Sequence, residues 1–253
     1  MMEDKKEQFF AKHMQELAER SYQGQYPVYS DFLTTREFTI IKQIRKHFPP
    51  IRLEFFGGYQ DCDHPICGFF PIDWQTLTFP VCCIRIDVEN SRYAQALSHR
   101  DYLGAILNLG IERSKIGDIR ICNQTAYVFC KEDFAPFIIE HFSMVKHTPV
   151  RCEILSSMDE IPAQQFEEKT HSVASCRLDN IVVAITGKSR GKAAELIRQG
   201  LVVAEHELRN SVSYICRDGA IITIRGYGKF RLEIPANCYT RKGKQKIIIY
   251  KYI

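Results

Sequence analysis

Apolar positions at the start of the chain recur at helical intervals and then give way to a strand pattern. Over residues 9–17 they are spaced by three or four positions, which predicts an amphipathic helix. Ser30–Asp31 is a candidate N-cap for a second helix that ends near Ile44. Residues 51–55 alternate between apolar and polar side chains, as a half-buried strand does. We therefore predict an N-terminal α/β domain over residues 1–75.

The pattern over residues 76–156 predicts two helices among four strands. They follow one another in the order strand, helix, strand, strand, helix, strand, which is the order of the split-βαβ sandwich. Many RNA-recognition domains share this RRM-like, ferredoxin-like fold, but so do domains with other functions, and no aromatic RNP signature is visible. RNA binding by this domain is therefore left open. The predicted elements span residues 81–88, 99–109, 118–122, 125–130, 131–142 and 150–155.

A polar stretch separates this region from the last one. Residues 157–174 contain Pro162, the acidic pair Glu167–Glu168 and few apolar residues, which predicts a linker. Residues 175–253 begin with two short helices, of which the second follows Ser189 as its N-cap, and continue into short strands. The fold class predicted for the whole chain is α+β, with three small domains.

Charge is distributed unevenly along the chain. Residues 172–253 contain 15 Lys or Arg against 6 Asp or Glu, a net charge of +9, whereas residues 1–171 contain 19 against 24, a net charge of −5. A positive excess confined to one module is typical of proteins that bind polyanions. The C-terminal domain is therefore the first candidate for contact with nucleic acid.

The composition excludes several classes of protein. Of the 253 residues, 45% are hydrophobic and 25% are charged, which is typical of globular proteins and excludes a mostly disordered chain. No apolar run approaches the length of a bilayer span, and the first residues carry no hydrophobic signal segment. We therefore expect a cytoplasmic protein with no membrane partner, whose ten cysteines are reduced thiols.

Three short motifs at the start of the C-terminal domain carry a family resemblance. Together they resemble the S4 RNA-binding domain, which occurs in a ribosomal protein, tRNA synthetases and pseudouridine synthases. The motifs are Arg177-Leu178-Asp179, Lys188-Ser189-Arg190-Gly191-Lys192-Ala193 and Ile197-x-x-Gly200-Leu201-Val202. The side-chain chemistry agrees, because arginine forks and lysine charges bind phosphate and free N–H groups at a helix start favour an anion. The candidate RNA contacts are Arg177, Lys188, Ser189, Arg190, Lys192 and Arg198.

Two features of this domain have alternative interpretations. Arg177 and Asp179 could form an ion pair within the domain, in which case Asp179 has a structural role. A glycine-containing segment further along could be a simple turn whose glycines adopt positive φ. Alternatively Tyr227, Lys229 and Arg231 could stack on bases and bind the RNA backbone.

Further motifs lie along nearly the whole chain. They include Asp31-Phe32-Leu33, Arg36-Glu37, Arg52-Leu53-x-Phe55-Phe56-Gly57-Gly58, His99-Arg100-Asp101-x-Leu103-Gly104-Ala105, Leu107-x-Leu109-Gly110-Ile111-x-Arg113, Gly117-Asp118-Ile119 and Arg225-Gly226-Tyr227-Gly228-Lys229-Phe230. Together they resemble the YlmH family of bacterial RNA-binding proteins. The resemblance implies an N-terminal domain, an RRM-like middle domain and a C-terminal S4 domain. It also implies a role in ribosome-associated quality control, on a large subunit that carries peptidyl-tRNA, and a link to cell division.

From this resemblance we expect rRNA and tRNA as partners, a monomeric protein, and neither catalysis nor a cofactor or metal. The middle domain is expected to supply a second RNA contact through Arg100, Arg113 and Lys115, which would make the attachment bivalent. Two other functions stay open. An RNA-modifying enzyme of the pseudouridine synthase type would use the S4 domain as an anchor, although no acid lies in the expected catalytic motif. A division protein would act through its acidic N-terminal segment.

Three sequence patterns imitate catalytic or metal sites. His99-Arg100-Asp101 copies the catalytic-loop triplet of kinases, but Ile106 stands where the metal-binding Asn is needed. Gly187-Lys188-Ser189 copies the end of a P-loop, but Val182 replaces the leading glycine. Cys62-x-His64-x-x-Cys67 offers three zinc ligands where a structural site needs four. We therefore expect helix capping, or an RNA contact by Arg100, from the first pattern, and no nucleotide or metal site from the others.

Overall fold

The chain is a mixed α and β protein. A computed structural model describes residues 2–89 and 97–253, which divide into two compact units, Met1–Pro162 and Ala163–Ile253. The helices are α1 (Met2–Gly24), α2 (Thr35–Ile44), α3 (His99–Leu107), α4 (Ala135–His141), α5 (Leu178–Thr186) and α6 (Arg190–Arg198). The strands are β1 (Val28–Phe32), β2 (Ile51–Phe56), β3 (Ile66–Pro71), β4 (Val81–Val88), β5 (Ile116–Cys122), β6 (Thr125–Lys131), β7 (Met144–Val145), β8 (Thr148–Ile154), β9 (Phe166–Val173), β10 (Val202–Ala204), β11 (Glu207–Leu208), β12 (Ile221–Ile224), β13 (Gly228–Glu233) and β14 (Gln245–Tyr252).

The N-terminal part packs two helices on a small antiparallel sheet with the strand order β1-β3-β2. The apolar positions predicted to form a helix lie in α1, where Met14 and Leu17 are buried. They pack in one hydrophobic cluster with Ile41 of α2 and Phe69 of β3. The spacing of the apolar residues therefore predicted the buried side of the helix at Met14 and Leu17, whereas Phe9, at the start of the pattern, is 78% exposed.

The second helix begins later than predicted. The Thr34 hydroxyl caps α2 by accepting a hydrogen bond from the Glu37 N–H, and the Glu37 carboxylate accepts one from the Thr34 N–H, which completes a capping box. The Ser30–Asp31 pair lies in β1 instead. The Ser30 hydroxyl is buried and accepts a hydrogen bond from the Cys67 N–H at 2.9 Å. Pairing with β3 thus overrides the local capping signal of Ser30, which was wrong as a helix start.

The middle part is a five-stranded sheet with the order β5-β6-β4-β8-β7, in which every strand pairs antiparallel to its neighbours. Its elements follow one another as strand, helix, strand, strand, helix, and then the β7–β8 pair. Helices α3 and α4 cover one face, where Ile84, Ile86, Tyr102, Ile106 and Ile138 are buried in one cluster. The alternation along β4 places Cys83 on the opposite face.

The opposite face of this sheet is covered by the N-terminal part. Tyr127 and Phe129 of β6 are buried in one cluster with Phe32 of β1 and Ile66 of β3. Gly58 makes a close approach possible, because its φ is +102° and a Cβ at this position would lie only 2.2 Å from Cδ1 of Phe129. One hydrophobic cluster of the first unit therefore joins the two predicted domains.

The second unit is a six-stranded antiparallel sheet with the order β11-β10-β12-β13-β14-β9. Helices α5 and α6 pack on one face of it, in a cluster that contains Leu178, Ile197, Phe230 and Ile249. The predicted linker 157–174 includes β9, whose eight residues all pair with β14. This strand was missed because its partner lies about eighty residues further along the chain.

Candidate nucleic-acid interface

Two short helices joined by a tight turn present most of the candidate cations. α5 ends at Gly187, whose φ of +66° is the left-handed conformation that glycine adopts easily. α6 begins after Ser189, whose hydroxyl accepts a hydrogen bond from the Lys192 N–H at 3.3 Å. Ala193, Leu196 and Ile197 anchor α6 in the core. The remaining sides of α6 are therefore left to polar and charged residues.

The candidate residues around this turn are exposed, with one exception. Lys188, Ser189, Arg190, Lys192 and Arg198 are exposed, whereas Arg177 is half-buried. We call this set of residues the helical face: Arg177, Lys188, Ser189, Arg190, Lys192 and Arg198. The six residues that the S4 resemblance selected thus lie at the start of α5, in the turn that follows it and along α6.

A buried carboxylate organises one end of the helical face. Asp179 is 5% exposed. Its Oδ1 lies 3.1 Å from Nε of Arg177 and its Oδ2 lies 3.3 Å from Nη2 of Arg190. It also accepts a hydrogen bond from the Asn180 N–H. Asp179 therefore holds two arginines at once, of which Arg190 leaves 67% of its side chain in solvent.

The electrostatics of Asp179 agree with this arrangement. Burial acts to raise the pKa of Asp179, but the hydrogen bond and charge of Arg177, together with the charge of Arg190, outweigh it and hold the pKa below its ordinary value. Asp179 is therefore charged at neutral pH. Of the two interpretations of Arg177 and Asp179, the ion pair within the domain is the one present, and it extends to Arg190.

Lys192 is held less firmly. Its Nζ lies 2.9 Å from Oε2 of Glu195, one turn further along α6, and both side chains are about half exposed. Glu195 also accepts a hydrogen bond from the side chain of Gln199. Exposed pairs of this kind contribute little to stability, so Lys192 can exchange its carboxylate partner for a phosphate at low cost.

The structure separates the three candidates near the glycine-containing segment. Gly226 and Gly228 have φ angles of +85° and +119°, so this segment is a tight turn between β12 and β13. Tyr227, within the turn, packs against the core on the same side as α5. Lys229 and Arg231 alternate with the buried Phe230 and therefore project from the other face of the sheet. Tyr227 thus lies on one face of the sheet, and the two cations lie on the other.

The three candidates in the middle domain are also in different environments. Arg100 is exposed in the first turn of α3. Arg113 is half-buried and donates a hydrogen bond to the carbonyl of Ile116. Lys115 lies 2.6 Å from Asp31 in an ion pair that joins the middle domain to β1. Arg113 and Lys115 therefore hold local structure together, and Arg100 is the exposed member of the set.

The covered sheet face of the middle domain has a consequence for RNA binding. RRM domains stack bases on the face of the sheet opposite to their helices. In this chain the aromatic residues on that face, Tyr127 and Phe129, are buried against the N-terminal part. The ring centroids of Phe129 and Tyr59 are 4.8 Å apart. Stacking of bases on these rings is therefore blocked.

A second buried carboxylate, Asp118, joins the N-terminal and middle parts. It accepts hydrogen bonds from the Tyr59 hydroxyl at 2.7 Å and from the Asp63 N–H at 2.6 Å, and Nδ1 of His64 lies 2.6 Å away. Burial acts to raise the pKa of Asp118, but the hydrogen bond and charge of His64, with the other two bonds, lower it to about 2. The middle residue of the Cys62-x-His64-x-x-Cys67 pattern is thus engaged with a carboxylate.

The other sequence patterns have structural roles in the part of the chain that is described. Asp101 accepts hydrogen bonds from the backbone and hydroxyl of Ser98 in a capping box, and its carboxylate lies 2.8 Å from Nζ of Lys146. Gly187-Lys188-Ser189 forms the end of one helix and the cap of the next. Within residues 2–89 and 97–253 there is no group of three or more His, Cys, Asp or Glu side chains placed to hold a metal.

Two sets of residues escaped the sequence analysis. One is the contact of Arg190 with Asp179, which only the packing of α6 beside α5 creates. The other is the row of aromatic residues Phe166, Tyr250 and Tyr252 beside Lys229 and Arg231. The alternation along the last strand could have indicated that Tyr250 and Tyr252 share a face, but the position of Phe166 could not be read from sequence.

No helix within the described ranges has both the length and the apolarity needed to cross a bilayer.

Comparisons with known proteins identify two domains in the chain. Residues 78–159 match the family described as "Putative RNA-binding domain in YlmH", and residues 176–222 match the S4 domain.

Two relatives agree with these matches. The chain is 29% identical over 233 residues to the "Ribosome-associated protein quality control protein P2" of Bacillus subtilis (strain 168). The aligned region covers 90% of this chain and 89% of that protein. Its fold is similar to the "Cell division protein ylmH from Streptococcus pneumoniae", with a TM-score of 0.51, 18% identity and coverage of 62% of this chain and 95% of the other. The chain therefore carries a YlmH-type RNA-binding domain at residues 78–159 and an S4 domain at residues 176–222, and it resembles its YlmH-type relatives over most of its length.

Proposed function

We propose that this protein is a ribosome-associated RNA-binding protein that docks on folded RNA through the helical face. The observation that carries the proposal is the set of exposed cations in the turn after α5 and along α6, of which Arg190 contacts the buried Asp179. The similarity to a relative named for ribosome-associated quality control supports the cellular setting. The RNA that we propose is rRNA together with tRNA, on a large subunit that carries peptidyl-tRNA.

The mechanism is binding, without catalysis. Lys188, Lys192 and Arg198 neutralise phosphates and release counterions, which supplies affinity that depends on salt. The guanidinium of Arg190 can bind one phosphate through two hydrogen bonds, because Asp179 already fixes its orientation. Folded RNA is selected by the spacing of its phosphates, which has to match that of the cations.

The two domains have different parts in this proposal. We assign the middle domain to the RRM-like split-βαβ class on its strand order and the C-terminal unit to the S4 class on its two helices and their motifs. Because the aromatic face of the middle sheet is buried, a second RNA contact would use the exposed Arg100 at the start of α3. Arg113 and Lys115 would position this region and contact RNA less directly. The protein would act as a monomer in the cytoplasm.

Co-sedimentation with ribosomal subunits tests the function. The purified protein is mixed with small subunits, large subunits, and large subunits that retain peptidyl-tRNA, and is then separated on sucrose gradients at low and moderate salt. We expect migration with the large subunit, enriched when peptidyl-tRNA is present, and loss of this migration in the Arg190→Ala/Lys192→Ala variant. Absence of the wild-type protein from every ribosomal fraction would contradict the ribosomal assignment.

A further inference from the structure

The outer face of the C-terminal sheet, on the side away from α5 and α6, carries three neighbouring aromatic rings. Tyr252 is paired with Phe166 across β14 and β9, so both project from the same face. Their ring centroids lie 4.9 Å apart, and the Tyr250 ring lies 5.9 Å from that of Phe166. All three residues are partly exposed to solvent. We call Phe166, Tyr250 and Tyr252 the aromatic row.

Two cations lie directly over these rings. The guanidinium carbon of Arg231 is 4.8 Å from the centroid of Phe166 and 5.0 Å from that of Tyr250. Nζ of Lys229 is 5.0 Å from the centroid of Tyr252. Such contacts hold flexible cationic side chains at the height of the rings. This face of the sheet therefore carries both aromatic rings and positive charges, and the charges are in contact with the rings.

The charge on this face is graded along the strands. Glu233 accepts a hydrogen bond from the Tyr250 hydroxyl at 2.9 Å, and Glu168 stands opposite Tyr250 in the register of β9 and β14. Glu233, which is paired with Ile248, is thus on the side of Tyr250 away from Tyr252, and Glu168 is level with Tyr250. The cationic end, around Lys229, Tyr252 and Phe166, is the part of the face that suits an anionic ligand.

We propose that the aromatic row with Lys229 and Arg231 is a second RNA-binding surface, which stacks unpaired nucleotides next to the folded RNA held by the helical face. Aromatic rings beside cations on an exposed sheet are the combination that single-stranded RNA requires, because every base has a face that stacks and every nucleotide carries a phosphate. The net charge of +9 over residues 172–253 favours a polyanion over a protein partner. Since the two surfaces lie on opposite sides of one sheet, one domain would hold two segments of RNA.

This inference rests on the proposed function, and its test separates the two. Binding is measured by fluorescence anisotropy to two RNA probes: a short hairpin, and the same hairpin with an unpaired extension of about eight nucleotides, within the usual site size. The variant is Phe166→Leu/Tyr252→Leu, which keeps apolar side chains but removes two rings. The control is Tyr239→Leu, which removes a tyrosine that is 59% exposed in the loop between β13 and β14.

We expect the wild-type protein and the control to bind the extended RNA at least about fivefold more tightly than the hairpin, which corresponds to one stacked base. The Phe166→Leu/Tyr252→Leu protein is expected to lose this preference while its affinity for the hairpin is unchanged. Equal affinity of the wild-type protein for the two probes would overturn the second surface, although its affinity for the hairpin would still support the proposed function. Failure to bind either probe would count against both.

Crosslinking keeps the proposal testable if the variant does not fold. Wild-type protein is irradiated with the extended RNA carrying 4-thiouridine only in its unpaired segment, and crosslinked peptides are identified by mass spectrometry. Crosslinks to β9 and β14 are expected. Crosslinks confined to α5 and α6 would overturn the proposal.

Discussion

The guanidinium of Arg190, in the first turn of α6, lies 3.3 Å from the carboxylate of Asp179 in the first turn of α5. The same carboxylate binds Arg177, so one buried negative charge orients two cations of the helical face. A carboxylate with two arginine partners stays charged, and the exposed part of Arg190 keeps donors available for a phosphate. Asp179 is thus a positioning residue for RNA binding that does not itself need to contact RNA.

Asp179→Asn is expected to lower the free energy of unfolding of the C-terminal unit by about 1–3 kcal/mol, because two guanidiniums lose a buried charged partner. Hydrogen exchange of α5 and α6 measures this loss. The matched control is Glu195→Gln, which removes an exposed pair with Lys192 and should leave the protection of α5 and α6 nearly unchanged. Equal protection in the two variants would contradict the positioning role.

Arg190→Ala/Lys192→Ala is expected to weaken binding to a structured RNA about tenfold and to reduce the log–log salt slope by about 1.5 units, because two phosphate contacts are lost. Titrations at several salt concentrations provide both values. Arg45→Ala/Lys46→Ala removes the same charge from exposed positions after α2 and should leave the slope nearly unchanged. Unchanged affinity in a folded Arg190→Ala/Lys192→Ala protein would contradict the proposal that the helical face binds RNA.

Asp118 predicts a pH dependence of the first unit. Its pKa is lowered in the folded protein to about 2 from an ordinary value of 3.8, so its stabilising contribution is complete above the unfolded value and is lost as the pH falls from there towards about 2. Asp118→Asn should remove this part of the acid slope and cost about 2–4 kcal/mol near neutral pH, where three polar partners lose a charged acceptor.

Urea unfolding followed by the fluorescence of Trp74, which lies in the first unit, measures both effects. Asp73→Asn changes an exposed carboxylate in the same unit and should alter the free energy of unfolding by no more than about 0.5 kcal/mol. If Asp118→Asn retained the wild-type dependence on pH, the assignment of that dependence to Asp118 would be wrong.

Two glycine substitutions should have opposite effects on the first unit. A Cβ on Gly117 of β5 would lie 2.5 Å from the Phe32 ring, so Gly117→Ala should overpack the covered face of the middle sheet and cost about 1–3 kcal/mol. Gly104 has open space around it within α3, so Gly104→Ala should stabilise by about 0.5–1 kcal/mol through helix propensity. Thermal unfolding compares the two, and a neutral Gly117→Ala would show that the N-terminal part is not packed tightly on this sheet.

Local signals in the sequence were sufficient for the helical face. The N-cap Ser189, the left-handed Gly187 and the apolar spacing of Ala193, Leu196 and Ile197 all act within a few residues, so the pattern determined α6 and its exposed side. The order of strands and helices predicted along the middle domain rested on equally local patterns of apolar and polar residues. The capping signal at Ser30 failed because a non-local strand partner, β3, competed for the same residue.

What depends on distant partners could be decided only by the tertiary structure. Phe166 was placed in a linker, yet it pairs with Tyr252 at the far end of the unit and completes the aromatic row. Phe129 alternates like any strand residue, but whether its face meets RNA or protein was settled by the packing of Gly58 against it. The sequence by itself determined α6 and the cations that it exposes, because hydrogen bonds along a helix and its caps are local. Which sheet faces are buried and which carboxylates orient the arginines depends on contacts between residues far apart in sequence, and only the folded chain brings these together.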